Sequence, residues 1–272
     1  MTPNISKTGE RMIPESFKSI DEYIMYIRHV FAYNFCSQRI PPKAAVLDVG
    51  CGEGYGTHII SSVSDSAIGL DVEQEVIIRA AKKYGSNNCV FQIYNGTDIP
   101  FATETFDIVI SLQVIEHIKN AQKYLEEISR VLKKNGICIF TTPNKKMRLK
   151  SQQKPWNHFH VREYNGLELR QTLEQIFSKI EIYGIYGSPS IQKIETQRIA
   201  KIQKLLRLDP LGIRLLLPES WKQKLVLLMR LITQKHTPEK IDYTKSLNVD
   251  DFYISPNTDE SLDILAVCTK KS

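Results

Sequence analysis

Two spacings of apolar residues alternate along the chain between positions 44 and 187. Short β-branched runs near 44–49, 66–71, 89–94, 106–111, 136–142 and 179–186 have the length of buried strands. Helical patterns lie between most of them, near 54–64, 73–84, 118–133 and 165–178. Strand–helix alternation predicts an α/β fold with a doubly wound, mostly parallel sheet built through right-handed crossovers. Ser261-Leu-Asp-Ile-Leu-Ala-Val-Cys-Thr269 supplies a seventh strand at the carboxyl end. An aromatic-rich helix is expected over 18–38, either as packing for the sheet or as a lid over a ligand site.

The segment from 189 to 240 departs from this alternation. It carries eleven Lys or Arg against four acids, a net +7 where the whole chain has +6. Ile194, Ile199, Ile202, Leu205 and Leu206, then Leu225, Leu228 and Ile232, interleave with the charges, which predicts amphipathic helices broken at Pro210 and Pro218. Such a segment suits either a helical cap with a solvated basic face or, with Trp221, a peripheral contact with an anionic membrane. No aromatic platform accompanies the charge, so nucleic acid is not an expected partner. The expected organisation is a single domain over 1–272. Residues 1–40 form a helical lid, 41–188 a cofactor-binding core, 189–250 the basic insertion and 251–272 the final strand.

Composition narrows the class. At 272 residues, 42% hydrophobic and 24% charged, the chain is long and apolar enough for one large globular domain. Its five cysteines are scattered without a Cys-x-x-Cys pair, the usage of reduced thiols rather than a disulfide framework or zinc knuckle. The start is polar and no apolar run approaches membrane-spanning length, so a cytoplasmic protein is expected.

Candidate chemistry begins where the first strand ends. Val46-Leu-Asp48-Val-Gly50-Cys-Gly52-Glu-Gly54-Tyr-Gly56 runs an apolar strand into an acidic glycine turn ahead of a helix, a cofactor-binding arrangement. Asp48 would repel a pyrophosphate, and Tyr55 stands where the dinucleotide pattern needs its third glycine, so a cationic nucleoside is favoured. Asp71, at the tip of the second strand, is placed to hold a ribose diol, although an Asp there also caps helices.

These motifs resemble class I S-adenosylmethionine-dependent methyltransferases over roughly residues 44 to 187 and again in the last strand. Val46–Gly54 matches the first motif of that family and Ala67-Ile-Gly-Leu-Asp71 the second. Asn95-Gly-Thr-Asp98-Ile-Pro-Phe101 matches the third, Phe106 to His117 the fourth-strand motif and Leu132 to Asn144 the fifth. The resemblance implies a Rossmann-like seven-stranded fold, with the last strand inserted antiparallel beside the sixth, and S-adenosyl-L-methionine as cofactor. It also implies cofactor contacts from Asp48, Gly50, Gly52, Gly54, Asp71, Asn95 and Gln113, with Asn95 standing where the family carries an acid facing adenine.

Thr8-Gly-Glu-Arg11 with Pro14-Glu15, Arg28-His-Val-Phe-Ala32, Thr142-Pro-Asn144 and Asn157-His-Phe-His160-Val-Arg-Glu163-Tyr164 further resemble a subgroup associated with surface-polysaccharide and glycolipid assembly. This implies O-methylation of a glycan, glycolipid or related metabolite, the acceptor being a small molecule or a lipid-linked glycan. The alternatives are quinone- or polyketide-like acceptors, N-methylation of amino sugars, and a non-catalytic binding protein of the same fold.

An alcohol acceptor needs a base, because its proton must leave as the new bond forms. His160 is the first candidate, with His117 and Glu116 beside it at the carboxyl edge of the sheet. Glu116, His117 and a later histidine are also similar to the metal site of small-RNA 3′-terminal methyltransferases. Gln113 stands where that site has a Glu, so no metal is expected.

Overall fold

Side chains alternate across every central strand, and this alternation divides the core into two layers. In the computed structural model, which describes residues 14, 17, 19–151, 153–207 and 246–271, β1 (Ala45–Val49) buries Val46 on one face and Leu47 on the other. β4 (Phe106–Leu112) does the same with Ile108 and Ile110 against Val109. Both faces must therefore be covered, and the intervening helices cover them.

One face packs against α1 (Ile20–Ser37), α2 (Tyr55–Ser61) and α7 (Pro189–Arg207). The other packs against α4 (Ala121–Val131) and α6 (Gly166–Leu173), through Leu125, Ile128, Leu169 and Leu173. α3 (Gln74–Tyr84) covers β2 (Ser66–Asp71) and β3 (Cys89–Ile93). A side chain closes the first turn of several helices: Ser19 for α1, Asn120 for α4, and an Asn165–Glu168 capping box for α6.

The sheet order is β3-β2-β1-β4-β5-β8-β6-β7, with β5 spanning Leu132–Pro143, β6 Phe177–Gly187, β7 Phe252–Ser255 and β8 Asp263–Lys270. β1 to β5 are parallel, while β8 runs antiparallel between β5 and β6 as expected. The sheet has eight strands, not seven. β7 adds to the outer edge of β6 over Gly184–Gly187. Its four residues are too few to show a period, and Phe252 joins the core beside Phe31 at 5.9 Å between ring centroids.

The described part of the basic segment is α7, opened by Pro189, whose fixed φ suits a first turn. It buries Ile191, Glu195 and Ile199 against the fold and exposes Lys193, Lys201, Lys204 and Arg207. Pro210, Pro218 and Trp221 lie outside the described residues, as does Thr8-Gly-Glu-Arg11. All five cysteines are buried and free. Among the described residues no helix is long and apolar enough to cross a membrane.

Candidate active site

β1 and β4 are neighbours whose following connections leave toward opposite sides of the strand order, which opens a crevice at their carboxyl ends. A cavity of about 330 Å³ occupies it. Gly50 and Gly52 from the turn after β1, Asp71 from β2 and Gln113 from β4 line its floor, and His117 and Arg148 line the far wall.

The glycine turn is built to present acids rather than amide donors. The Gly50 and Cys51 amides donate to the Leu70 carbonyl at 2.7 and 2.9 Å, and the Gly54 amide donates to the Cys51 carbonyl at 3.1 Å. The Gly52 amide donates to the Asp71 carboxylate at 3.1 Å. With these four amides committed internally, the turn offers a pyrophosphate fewer donors, whereas a cationic nucleoside meets two carboxylates. The second is Glu53, which reaches the cavity wall and pairs with Arg79 at 2.7 Å. Asp71 also accepts from the Glu73 amide at 3.0 Å, so it steadies the turn into α3 and faces the cavity at once.

Gly50 and Gly52 have φ of +81° and +51°, and a Cβ on Gly52 would meet nothing within 4 Å. Room at that point is what a close-lying ligand needs. Gln113 also has a positive φ, 57°, which is strained for a side-chain-bearing residue. Its amide donates to Thr141 Oγ1 at 3.2 Å and its backbone N–H to the Thr141 carbonyl at 2.9 Å, which hold it on the cavity floor.

Five of the ten candidate residues, Asp48, Gly54, Asn95, His160 and Glu116, do not line the cavity. Asp48 lies beneath the turn, fully buried, accepting from Thr57 Oγ1 at 2.6 Å and Tyr33 at 3.1 Å. Burial raises its carboxyl from 3.8 to about 7, against the opposing effect of those two hydrogen bonds. Gly54 supports packing: at φ +82° its missing Cβ makes room for Ala80 and Phe91. Asn95 is exposed and folds its own turn, accepting from the Thr97 and Asp98 amides, both at 2.8 Å. Its neighbours Tyr94 and Gly96 reach the cavity instead, because Gly96 at φ +83° reverses the chain between them.

The fourth is His160, which sequence reasoning placed on an open loop. That loop is docked: the Val161 and Arg162 amides donate to the Glu116 carbonyl at 2.8 and 3.2 Å. His160 is therefore buried behind His117, its Nδ1 donating to Glu163 at 2.8 Å. Glu163 in turn pairs with Arg148 at 3.2 Å. His117 occupies the wall position, its Nδ1 donating to the Phe159 carbonyl at 3.1 Å. Glu116 is buried and accepts from Thr142 Oγ1 at 3.0 Å. Glu116 and His117 form a 3-10 turn, Ile115–His117, ahead of α4 rather than its first residues.

Several wall residues were not singled out in advance. α1 contributes Met25, Arg28, His29 and Tyr33. Arg28 is held at 2.9 Å by Asp263 and at 3.6 Å by Glu195. Arg28 and His29 open the Arg28–Ala32 stretch of the subgroup resemblance, which assigns them no role in the site. Glu53 shows a weak sequence signal, being flanked by the glycines of the turn. The cavity lining thus combines carboxylates with arginines and histidines, His29 lying against Tyr55 of the turn at 3.1 Å.

Residues 40–204 match a family model described as a methyltransferase domain. A probable S-adenosylmethionine-dependent methyltransferase from Mycolicibacterium smegmatis is 26% identical over 268 residues, covering 97% of this chain and 94% of that protein. A ubiquinone biosynthesis O-methyltransferase from Pelagibacter ubique is 28% identical over 105 residues, 38% of this chain and 43% of that protein. Among solved structures, a Thermotoga maritima protein described as an S-adenosylmethionine-dependent methyltransferase, possible histamine N-methyltransferase, superposes with a TM-score of 0.56. At 14% identity over 93% of this chain and 96% of that one, it shares the fold. The acid-lined glycine turn, set at the switch point of this sheet, therefore has its explanation in ancestry: the chain belongs to the methyltransferase-domain family and is a class I S-adenosylmethionine-dependent methyltransferase.

Proposed function

We propose that the enzyme methylates a hydroxyl group of a small molecule, and that a phenolic or quinol-type ring is the preferred acceptor. The observation that carries this reading is the position of His117 on the wall of the cavity that Gly50, Gly52 and Asp71 also line, with its ring anchored to the Phe159 carbonyl and packed against His160. S-adenosylmethionine supplies a methyl group on a sulfonium, which is a good leaving group. The protein's task is then to align acceptor and cofactor and to make the acceptor's proton easy to lose. A phenol ionises near pH 10, within reach of an imidazole–carboxylate cluster, whereas a sugar alcohol is far less acidic. The partial match to ubiquinone O-methyltransferases supports the phenolic class, and the glycan class implied by the sequence motifs is its competitor.

Purified enzyme with S-adenosylmethionine should add one methyl, read by mass, to a prenylated dihydroxybenzoate. Turnover of a lipid-linked or free sugar in its place would reject the phenolic reading in favour of the glycan one.

A further inference from the structure

Glu116, His117 and His160 each offer a ligand atom, and these atoms lie within 4.8 Å of one another. We propose that they form a binding site for a divalent transition-metal cation of the zinc type, at the acceptor end of the cavity. Only its place beside the acceptor rests on the function proposed above; the binding itself does not.

Ligand chemistry sets the class of ion. Two imidazoles and one carboxylate suit zinc and its neighbours, whereas magnesium and calcium prefer oxygen throughout. Three protein ligands with one position left for another molecule is the usual composition of a catalytic zinc site, so the neutral Gln113 is not needed as a fourth.

Each of the three ligands is also held from behind. Nδ1 of His117 donates to the Phe159 carbonyl at 3.1 Å and Nδ1 of His160 donates to Glu163 at 2.8 Å. Those oxygens only accept, so both rings carry hydrogen on Nδ1 and present Nε2 as the coordinating nitrogen. A carbonyl or carboxylate on the far nitrogen is the outer partner that metal-binding histidines take. Glu116 is anchored in the same way, Oε2 accepting from Thr142 at 3.0 Å.

The site joins two loops that are far apart in sequence. The Val161 and Arg162 amides clamp the loop after β5 onto the Glu116 carbonyl, and Arg148 at 3.2 Å fixes Glu163. Bonds to zinc of about 2.0–2.2 Å require the three side chains to close in by small rotations. His117 alone of the three lines the cavity, so the remaining position opens toward the acceptor. A hydroxyl bound there would lose its proton to water more readily. Its oxygen would then take the methyl as the sulfonium carbon–sulfur bond breaks, with the electron pair staying on sulfur as a thioether.

The test uses the full chain, stripped with chelator and titrated separately with Co²⁺ and Zn²⁺. We expect one ion per chain, a visible absorption band for Co²⁺, and displacement of Co²⁺ by Zn²⁺. Affinity should fall at least about 100-fold in Glu116→Gln and His160→Asn, and about 10- to 100-fold in Glu163→Gln, which removes only an outer partner. His58→Asn, stacked on Tyr84 in α2, should bind normally. Circular dichroism identifies any variant that fails to fold, and the wild-type titration stands without the variants. No stoichiometric binding of either ion by the wild type, or undiminished binding by folded Glu116→Gln, overturns the site. Metal binding that passes these tests, with methylation of neither a phenolic nor a sugar acceptor, supports the site and overturns the proposed function.

Discussion

The rings of His117 and His160 meet edge to face, their centroids 4.8 Å apart and their planes at 86°, yet only His117 reaches the cavity. His117 is therefore the ring open to a ligand, while His160 packs behind it and is tied to Glu163. His117→Ala should lower turnover of a hydroxyl acceptor by about 10²–10⁴ while leaving cofactor affinity intact. His160→Ala leaves the Glu163 carboxylate buried beside Arg148 without its imidazole donor, and should cost about 1–3 kcal/mol of stability as well as turnover. Steady-state kinetics and thermal melts on both variants check this contrast. Wild-type turnover in His117→Ala would reject it.

Asp71 bridges the glycine turn and the start of α3, so its loss has two separable effects. Asp71→Ala should weaken S-adenosylmethionine binding by about 1.5–3 kcal/mol, through lost charge-assisted hydrogen bonds. Asp71→Asn keeps one acceptor oxygen, enough for either the Gly52 or the Glu73 amide, and loses the charge and the other acceptor. Calorimetry should place it between the wild type and the alanine variant. Equal affinity in all three would show that Asp71 serves the turn and not the cofactor.

Elements with long, clean periods were legible in the sequence, and those made by tertiary docking were not. The buried strands and α3, α4 and α6 emerge near their expected positions because burial on a sheet demands those spacings. β7 was invisible because its four residues gain their pairing from β6 alone. The same contrast holds in the site. Gly50, Gly52, Asp71 and Gln113 line the cavity, since each sits at or just past a strand end. His160 and Asn95 do not, because hydrogen bonds within or between loops set their directions. Arg28 and Arg148 reach the wall from segments distant in sequence, and only Arg28 falls in a motif, one that implies no role for it in the site.

Gly52 and Gly54 are two residues apart and should respond differently to a methyl group. A Cβ on Gly54 would approach Ala80 and Phe91 to 2.7 Å with φ at +82°. Gly54→Ala should therefore cost about 2–4 kcal/mol from backbone strain and overpacking. A Cβ on Gly52 meets open space at φ +51°, which limits the cost to about 1–2 kcal/mol. That methyl would stand beside the ligand, so Gly52→Ala should lose at least about tenfold in cofactor affinity. Melting curves and calorimetry on the two variants should give opposite rankings for stability loss and for affinity loss. Identical rankings would contradict the geometry.

Asp48 gives the enzyme a pH dependence with a defined sign. An unfolded Asp titrates near pH 4, whereas burial raises Asp48 to about 7 in the fold. Between these values the folded protein holds a proton that the unfolded chain has released. The contribution of Asp48 to stability is therefore greatest below about pH 4, falls as pH rises through 7, and levels off above it. Asp48→Asn cannot titrate and lacks this slope. Its melting temperature minus that of the wild type should thus increase from pH 5 to pH 8, by an amount equivalent to a few kcal/mol. Groups that titrate in both proteins cancel in that difference. A cationic cofactor above the turn favours the ionised carboxylate, so wild-type affinity should rise across the same interval while that of Asp48→Asn stays nearly level. Parallel melting curves across this range would show that Asp48 is already charged at pH 5, held so by Thr57 and Tyr33 despite its burial.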